Sequence, residues 1–231
     1  EGTELGNYSK MKDAIDRHIE EVLNLELVDA EAIRNAGFKV VVDAVNSTGG
    51  IAIPKLLKAL GVECIPLYCD PTGDFPHNPE PLPAHLTEIS ALVVKEKADL
   101  GIVVDPDVDR LAIVNEDGSM FGEEYTLVAC ADYVLSRTPG DTVSNLSSSR
   151  ALRDVTRIRG GQYQASAVGE VNVARRMQAE GAVVGGVLGA VAGAIVGGND
   201  SGERTRGAVI GGLVGAGVGA AVGYNLDKQA A

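Results

Sequence analysis

Six consecutive residues, Asp105-Pro106-Asp107-Val108-Asp109-Arg110, place three carboxylates at alternate positions and a guanidinium directly after them. They lie between two apolar runs, Leu100-Gly101-Ile102-Val103-Val104 and Leu111-Ala112-Ile113-Val114. Carboxylates on a loop between two buried strands can converge on one point, and a hard divalent cation such as Mg2+ takes oxygen ligands of that kind. Three like charges within reach of one another repel, so a bound cation is the simplest way to keep all three ionised. Arg110 stands where it could pair with an anionic group on the same metal, an arrangement suited to phosphoryl transfer. The competing reading is a solvated turn, and spacing alone leaves the two open.

The elements that must hold this loop follow from hydrophobic periodicity. Met11, Ile15, Ile19, Val22 and Leu23 share one helical face, which predicts a helix over Tyr8 to Leu27. Phe38 to Val42 reads as a buried strand, and Asp43 to Gly50 as a loop opening a helix that runs to Leu60. Val62 to Leu67 is the next strand, and a proline-rich loop spans Cys69 to Pro83. A helix around Leu86 to Lys97 leads to the strand before the Asp triplet, and the strand after it ends in the turn Glu116-Asp117-Gly118. Glu123 to Leu135 is a helix. Strands alternating with helices of this length indicate an α/β fold, a sheet layered between helices.

After Pro139-Gly140-Asp141 the pattern restarts. Thr142 to Leu146 and Gln162 to Ala165 read as strands, and Ser147-Ser148-Ser149-Arg150 and Val168-Gly169-Glu170 each lead a helix. The expected domains are therefore 1–138, a truncated second α/β unit at 139–186, and a glycine-rich segment at 187–231. Asn46 to Gly50 could offer amides and hydroxyls to an anion, or simply cap a helix. His77, among prolines, reads as a surface loop residue.

Charge supports the division. The 231 residues carry a formal charge of −12, which argues against nucleic acid as a partner. From Gly181 onward Asp200, Glu203 and Asp227 balance Arg204, Arg206 and Lys228, so the whole excess lies before that point. The three cysteines, Cys64, Cys69 and Cys130, fit no zinc spacing and read as reduced thiols of a cytoplasmic domain. No signal peptide is visible, and Glu1-Gly2-Thr3-Glu4 looks internal to something longer.

In the last segment Gly185, Gly189, Gly193 and Gly197 recur every fourth residue, as do Gly207, Gly211, Gly215, Gly219 and Gly223. Such stripes let helices pack closely, chiefly in membranes. Each apolar stretch is about 17 residues, the short end for a bilayer span. The expectation is a helical hairpin, with membrane contact or self-association through 185–223.

Two resemblances complete the reading. VVVDAVNSTGG (40–50), TGDFPHNPEPLP (72–83), ADLGIVVDPDVDRLAIV (98–114), SNLSSSRAL (144–152) and SAVGEVNVARRM (166–177) resemble, in order and spacing, the α-D-phosphohexomutase (phosphoglucomutase/phosphomannomutase) family. The likeness covers its second domain and most of its third. It implies an isomerase that moves a phosphoryl group between C1 and C6 of a hexose phosphate by way of a phosphoserine. It implies Mg2+ on Asp105, Asp107 and Asp109, with Arg110 steadying the phosphoserine. It places Arg150, Gly169 and Glu170 on the substrate side.

Glu170 stands where many relatives have His, and Ser147 where some have Lys. No segment matches the serine loop, and Val187-Leu188-Gly189 stands where the sugar motif is due. The chain by itself is thus expected to be inactive, and the particular sugar is not legible. Residues 187–229 are similar to glycine-zipper segments of bacterial outer-membrane and periplasmic lipoproteins. That implies a chimera joined near Gly186, natural or artificial. The alternative function is a membrane-associated or oligomerising zipper protein with an α/β headpiece.

Overall fold

The computed structural model describes residues 9–180, 184–187 and 190–194. Helix α1 (Ala14–Leu23) and a second short helix α2 (Ala30–Ala36) precede the first sheet. The periodicity did not reveal α2, because its seven residues bury no side chain. It is held by its ends: Asp29 accepts a hydrogen bond from the Ala32 amide at 2.9 Å, and Gly37 closes it at φ +66°.

The first sheet contains β1 (Lys39–Asp43), β2 (Glu63–Leu67), β3 (Leu100–Val104) and β4 (Leu111–Asn115) in the spatial order β2-β1-β3-β4. β1 runs parallel to β2 and β3, and β4 is antiparallel to β3. Helices α3 (Gly49–Ala59) and α4 (Thr87–Glu96) cover opposite faces. Side chains alternate across a strand, so Val40 and Val42 meet Ile53 and Leu57 of α3, while Val41 meets Ile89 and Val93 of α4. With both faces covered, Val40 to Val42 of β1 and the whole of β3 are continuous apolar runs rather than alternating ones. Each fully buried Val or Ile contributes about 1.5–3 kcal/mol by leaving water.

Helix α5 (Glu123–Arg137) follows, then β5 (Thr142–Asn145), α6 (Ala151–Ile158), β6 (Tyr163–Ser166), α7 (Glu170–Glu180), β7 (Val184–Val187) and β8 (Ala190–Ala194). The second sheet has the order β6-β5-β7-β8, with β5 parallel to β6 and β7, and β8 antiparallel to β7. It repeats the topology of the first, as the restart after Asp141 anticipates. Leu127, Ala131, Val134 and Leu135 of α5 pack against Leu152 of α6. Leu27 of the first unit packs against the same cluster.

The backbone of the segment near Gly186 is strand. Val184–Val187 pairs with β5, and Ala190–Ala194 returns beside it. The helix expected from residue 187 is therefore corrected to strand over 190–194. The remainder of the expected hairpin, 195–231, lies outside the described residues.

Candidate metal centre

Asp43 ends β1 and Val104 ends β3, so the Asp105 loop leaves the sheet at the carboxyl edge of two adjacent parallel strands. Open α/β sheets bind ligands at that edge. Asp105 is buried, whereas Asp107 and Asp109 are exposed. Between the latter two, Val108 turns inward at φ +63° and is buried at 1% exposure against the α3 side of the core. A left-handed conformation is rare for a β-branched residue and persists only where the surroundings impose it. Here the burial of Val108 supplies that constraint, and it leaves the flanking carboxylates pointing outward.

The loop is tied internally and from below. The Val108 amide donates to the Asp105 carbonyl at 3.2 Å, and the Arg110 amide donates to Asp105 Oδ1 at 3.1 Å. Ser47 Oγ and Thr48 Oγ1 donate to the Pro106 carbonyl at 2.7 and 3.0 Å. The 46–50 segment is thus a bracket for the Asp loop; neither hydroxyl caps α3. Gly49 is required by proximity, since a Cβ there would sit 2.6 Å from Val104 Cγ2. A methyl group on Gly50 would collide with the Cys69 backbone.

Asp105, Asp107 and Asp109 each bring one carboxylate oxygen within 4.8 Å of the others. Mg2+ binds oxygen at about 2.0–2.1 Å, so small rotations of the two exposed carboxylates would complete a shared coordination edge. The donor set, three carboxylates and no nitrogen or sulfur, fits a hard cation. The electrostatics point the same way. Without a cation the Asp105 carboxyl is pushed up to about 6, first by burial and then by Asp109 and Asp107, against the pull of the Arg110 amide. A divalent charge would offset the burial and the repulsion together.

Arg110 lies beside the triplet, 45% exposed. Its Nε is 3.8 Å from both Asp105 Oδ2 and Asp109 Oδ1, and its Nη1 is 3.4 Å from Glu80 Oε1. Glu80 comes from the proline-rich loop and was not legible as part of the site. The same loop carries His77, which is only partly exposed and is tied to the sheet rather than being a free surface residue. Its Nε2 lies 2.9 Å from Asp43 Oδ2, its Nδ1 2.8 Å from the Asn78 carbonyl, and its side chain is 17% exposed. A carboxylate at the end of a buried strand was the available signal, since a buried charge demands a partner. Burial raises the Asp43 pKa, and the His77 pairing and the Val45 amide oppose that shift.

Arg150, Gly169 and Glu170 lie past the carboxyl ends of β5 and β6, strands paired in register from Thr142 with Tyr163 to Asn145 with Ser166. The structure brings these three to one edge of the second sheet. Arg150 is exposed at the start of α6, Gly169 holds φ +120°, and Glu170 opens α7.

Fold and site define a layered α/β protein with a convergent carboxylate centre. The chain belongs to the phosphoglucomutase/phosphomannomutase family: residues 16–118 match its alpha/beta/alpha domain II, and residues 122–186 match its alpha/beta/alpha domain III. Residues 180–230 match a glycine zipper. A probable phosphoglucosamine mutase of Methanopyrus kandleri is 34% identical over 185 residues, which are 79% of this chain and 40% of that protein. A phosphomannomutase/phosphoglucomutase of Pseudomonas aeruginosa is 36% identical over 151 residues, 64% of this chain and 33% of that protein. The chain thus spans about two fifths or less of the length of these curated relatives. A phosphoglucomutase/phosphomannomutase family protein from Burkholderia thailandensis superposes with a TM-score of 0.72 at 29% identity, covering 88% of this chain and 42% of that one. A Thermus thermophilus structure shares the fold at the same TM-score and 20% identity.

Proposed function

We propose that residues 16–186 are the metal-binding part and a portion of the sugar-binding part of a phosphohexomutase, acting in transfer between C1 and C6 of a hexose phosphate. The observation that carries the reading is the convergence of Asp105, Asp107 and Asp109 within 4.8 Å in a chain of this family. Asp105, Asp107 and Asp109 would hold Mg2+, which supplies positive charge against the phosphoryl group in transfer. Arg110 adds a guanidinium beside the same centre, and Val108 and the Ser47–Thr48 bracket keep the loop preorganised. Arg150, Gly169 and Glu170 would face the sugar.

Residues 1–231 carry no segment resembling the phosphoserine loop, so the 231-residue chain assayed alone is expected to bind Mg2+ without turnover. Calorimetry with Mg2+, and a mutase assay with glucose 1-phosphate, Mg2+ and a hexose bisphosphate, test both parts. Lack of Mg2+ binding would sink the metal reading, and turnover by this chain would sink the proposed inactivity.

We also propose self-association or membrane contact through the C-terminal segment, with the mutase-like part in the cytoplasm, and a chimeric join near residue 186. The zipper match at 180–230, which overlaps the domain III match at 180–186, supports this. Among the described residues no helix is long and apolar enough to cross a membrane. Co-sedimentation with phospholipid vesicles, light scattering of the free protein, and one unbroken sequencing read across the join test these points. A monodisperse monomer that ignores vesicles would count against the first, and separate mutase and zipper genes in the source against the last.

A further inference from the structure

The Arg110 guanidinium is gripped on two sides. Its Nε faces Asp105 and Asp109, its Nη1 faces Glu80, and among the described residues Nη2 makes no hydrogen bond or ion pair. The two aspartates belong to the loop that carries the arginine, so they move with it. Glu80 does not: it lies 30 residues earlier on a separately anchored loop. Its amide donates to Asn78 Oδ1 at 3.0 Å, and its carbonyl accepts from the Leu82 amide at 2.7 Å. Three residues before it, His77 is pinned to Asp43 at the end of β1. The backbone that carries Glu80 is therefore referenced to the sheet, so its carboxylate reaches Nη1 from a fixed origin outside the Asp loop.

We propose that Glu80 is a positioning residue for Arg110, setting the guanidinium so that Nη2 is presented to a phosphoryl group held at the carboxylate centre. The role rests on the metal reading above. A half-exposed arginine has many rotamers, and an anion that meets the right one already populated binds without the entropy of ordering it. Electrostatics alone gives the opposite expectation. Glu80 is an anion near an anion site, so its removal should tighten phosphate if charge were its only influence.

The test is calorimetry of the full chain with Mg2+, then with inorganic phosphate added to the Mg2+-loaded protein, for wild type, Glu80→Ala, Arg110→Ala and the double variant. The Glu80 side chain is half exposed, so Glu80→Ala should fold, and its thermal transition checks this. Glu80→Ala is expected to weaken phosphate three- to tenfold, to leave Mg2+ affinity within about twofold, and to have no effect once Arg110 is alanine. Glu80→Gln, which keeps an acceptor oxygen, is expected to recover part of the loss. Unchanged or tighter phosphate in Glu80→Ala would overturn the role, as would an equal loss in the Arg110→Ala background. So would a Mg2+-loaded wild type that ignores phosphate. A wild type that binds no Mg2+ overturns the metal reading and the positioning role together.

Discussion

Ser47 Oγ donates a 2.7 Å hydrogen bond to the Pro106 carbonyl, 59 residues away in sequence, and so fixes the Asp loop to the turn that follows β1. Thr48 reinforces it on the same carbonyl. The two most conspicuous loops of the first unit are thereby one piece of structure at one edge of the sheet.

Removing both hydroxyls should loosen that piece without touching a carboxylate. Ser47→Ala with Thr48→Val is expected to lower stability by about 1–3 kcal/mol, from two net hydrogen bonds of about 0.5–1.5 kcal/mol each. It should also weaken Mg2+ severalfold. Urea unfolding and calorimetry measure the two effects, and unaltered Mg2+ affinity would show that the loop holds its shape unaided.

Asp105 pits function against stability. Its buried carboxylate suffers both desolvation and the neighbouring Asp107 and Asp109 charges. Asp105→Asn keeps an acceptor for the Arg110 amide and removes the charge. The metal-free variant should melt higher than wild type at pH 7.5, and Mg2+ should no longer raise its melting temperature. Asp107→Asn, at an exposed position, should weaken Mg2+ at least tenfold with little change in metal-free stability.

The same carboxyl sets a pH window. Its folded pKa, about 6, lies above the ordinary 3.8, so the folded state binds this proton more tightly than the unfolded state. Its contribution to metal-free stability is full below about pH 4 and is lost as pH rises through about 6. Mg2+ competes with the proton, so its affinity should rise over that interval and level off above about pH 7. Melting curves with and without Mg2+ from pH 4.5 to 8 test this; a Mg2+ affinity independent of pH would contradict it.

His77 should matter to stability out of proportion to its place among prolines. His77→Ala leaves Asp43, 1% exposed, without its side-chain partner on Oδ2. A loss of about 1–3 kcal/mol is expected in urea unfolding, the scale of a buried polar group deprived of its partner.

The strand at 190–194 predicts different outcomes for two truncations. Ending the chain after Ala194 retains β8, whereas ending it after Val187 removes the antiparallel partner of β7. Hydrogen exchange of the β5 and β7 amides should match the full chain in the longer form and quicken in the shorter. Equal exchange in both would mean that β8 adds nothing to the second sheet.

Most of the fold was legible in the sequence because its signals are local. Val40 to Val42 and Ile102 to Val104 are apolar runs of the kind a doubly covered strand uses, and the repeat after Asp141 announced a second unit of the same design. Helix α2 was not legible, since seven residues with no buried face leave no periodic trace. Residues 190–194 misled because glycine and alanine at every fourth place suit a helix, while pairing with β7 decides their backbone.

The site divides the same way. Alternating Asp105, Asp107 and Asp109 between two strands offered a hard-cation site beside the reading of a solvated turn, because ligands adjacent in sequence need only one turn to converge. Only tertiary structure could decide that Ser47 and Thr48 serve the loop rather than a helix cap or an anion. It alone decided that His77 answers Asp43 and that Glu80 faces Arg110. Those partners lie on separate loops, and what joins them is the parallel pairing of β1 with β3, which no local pattern of residues records.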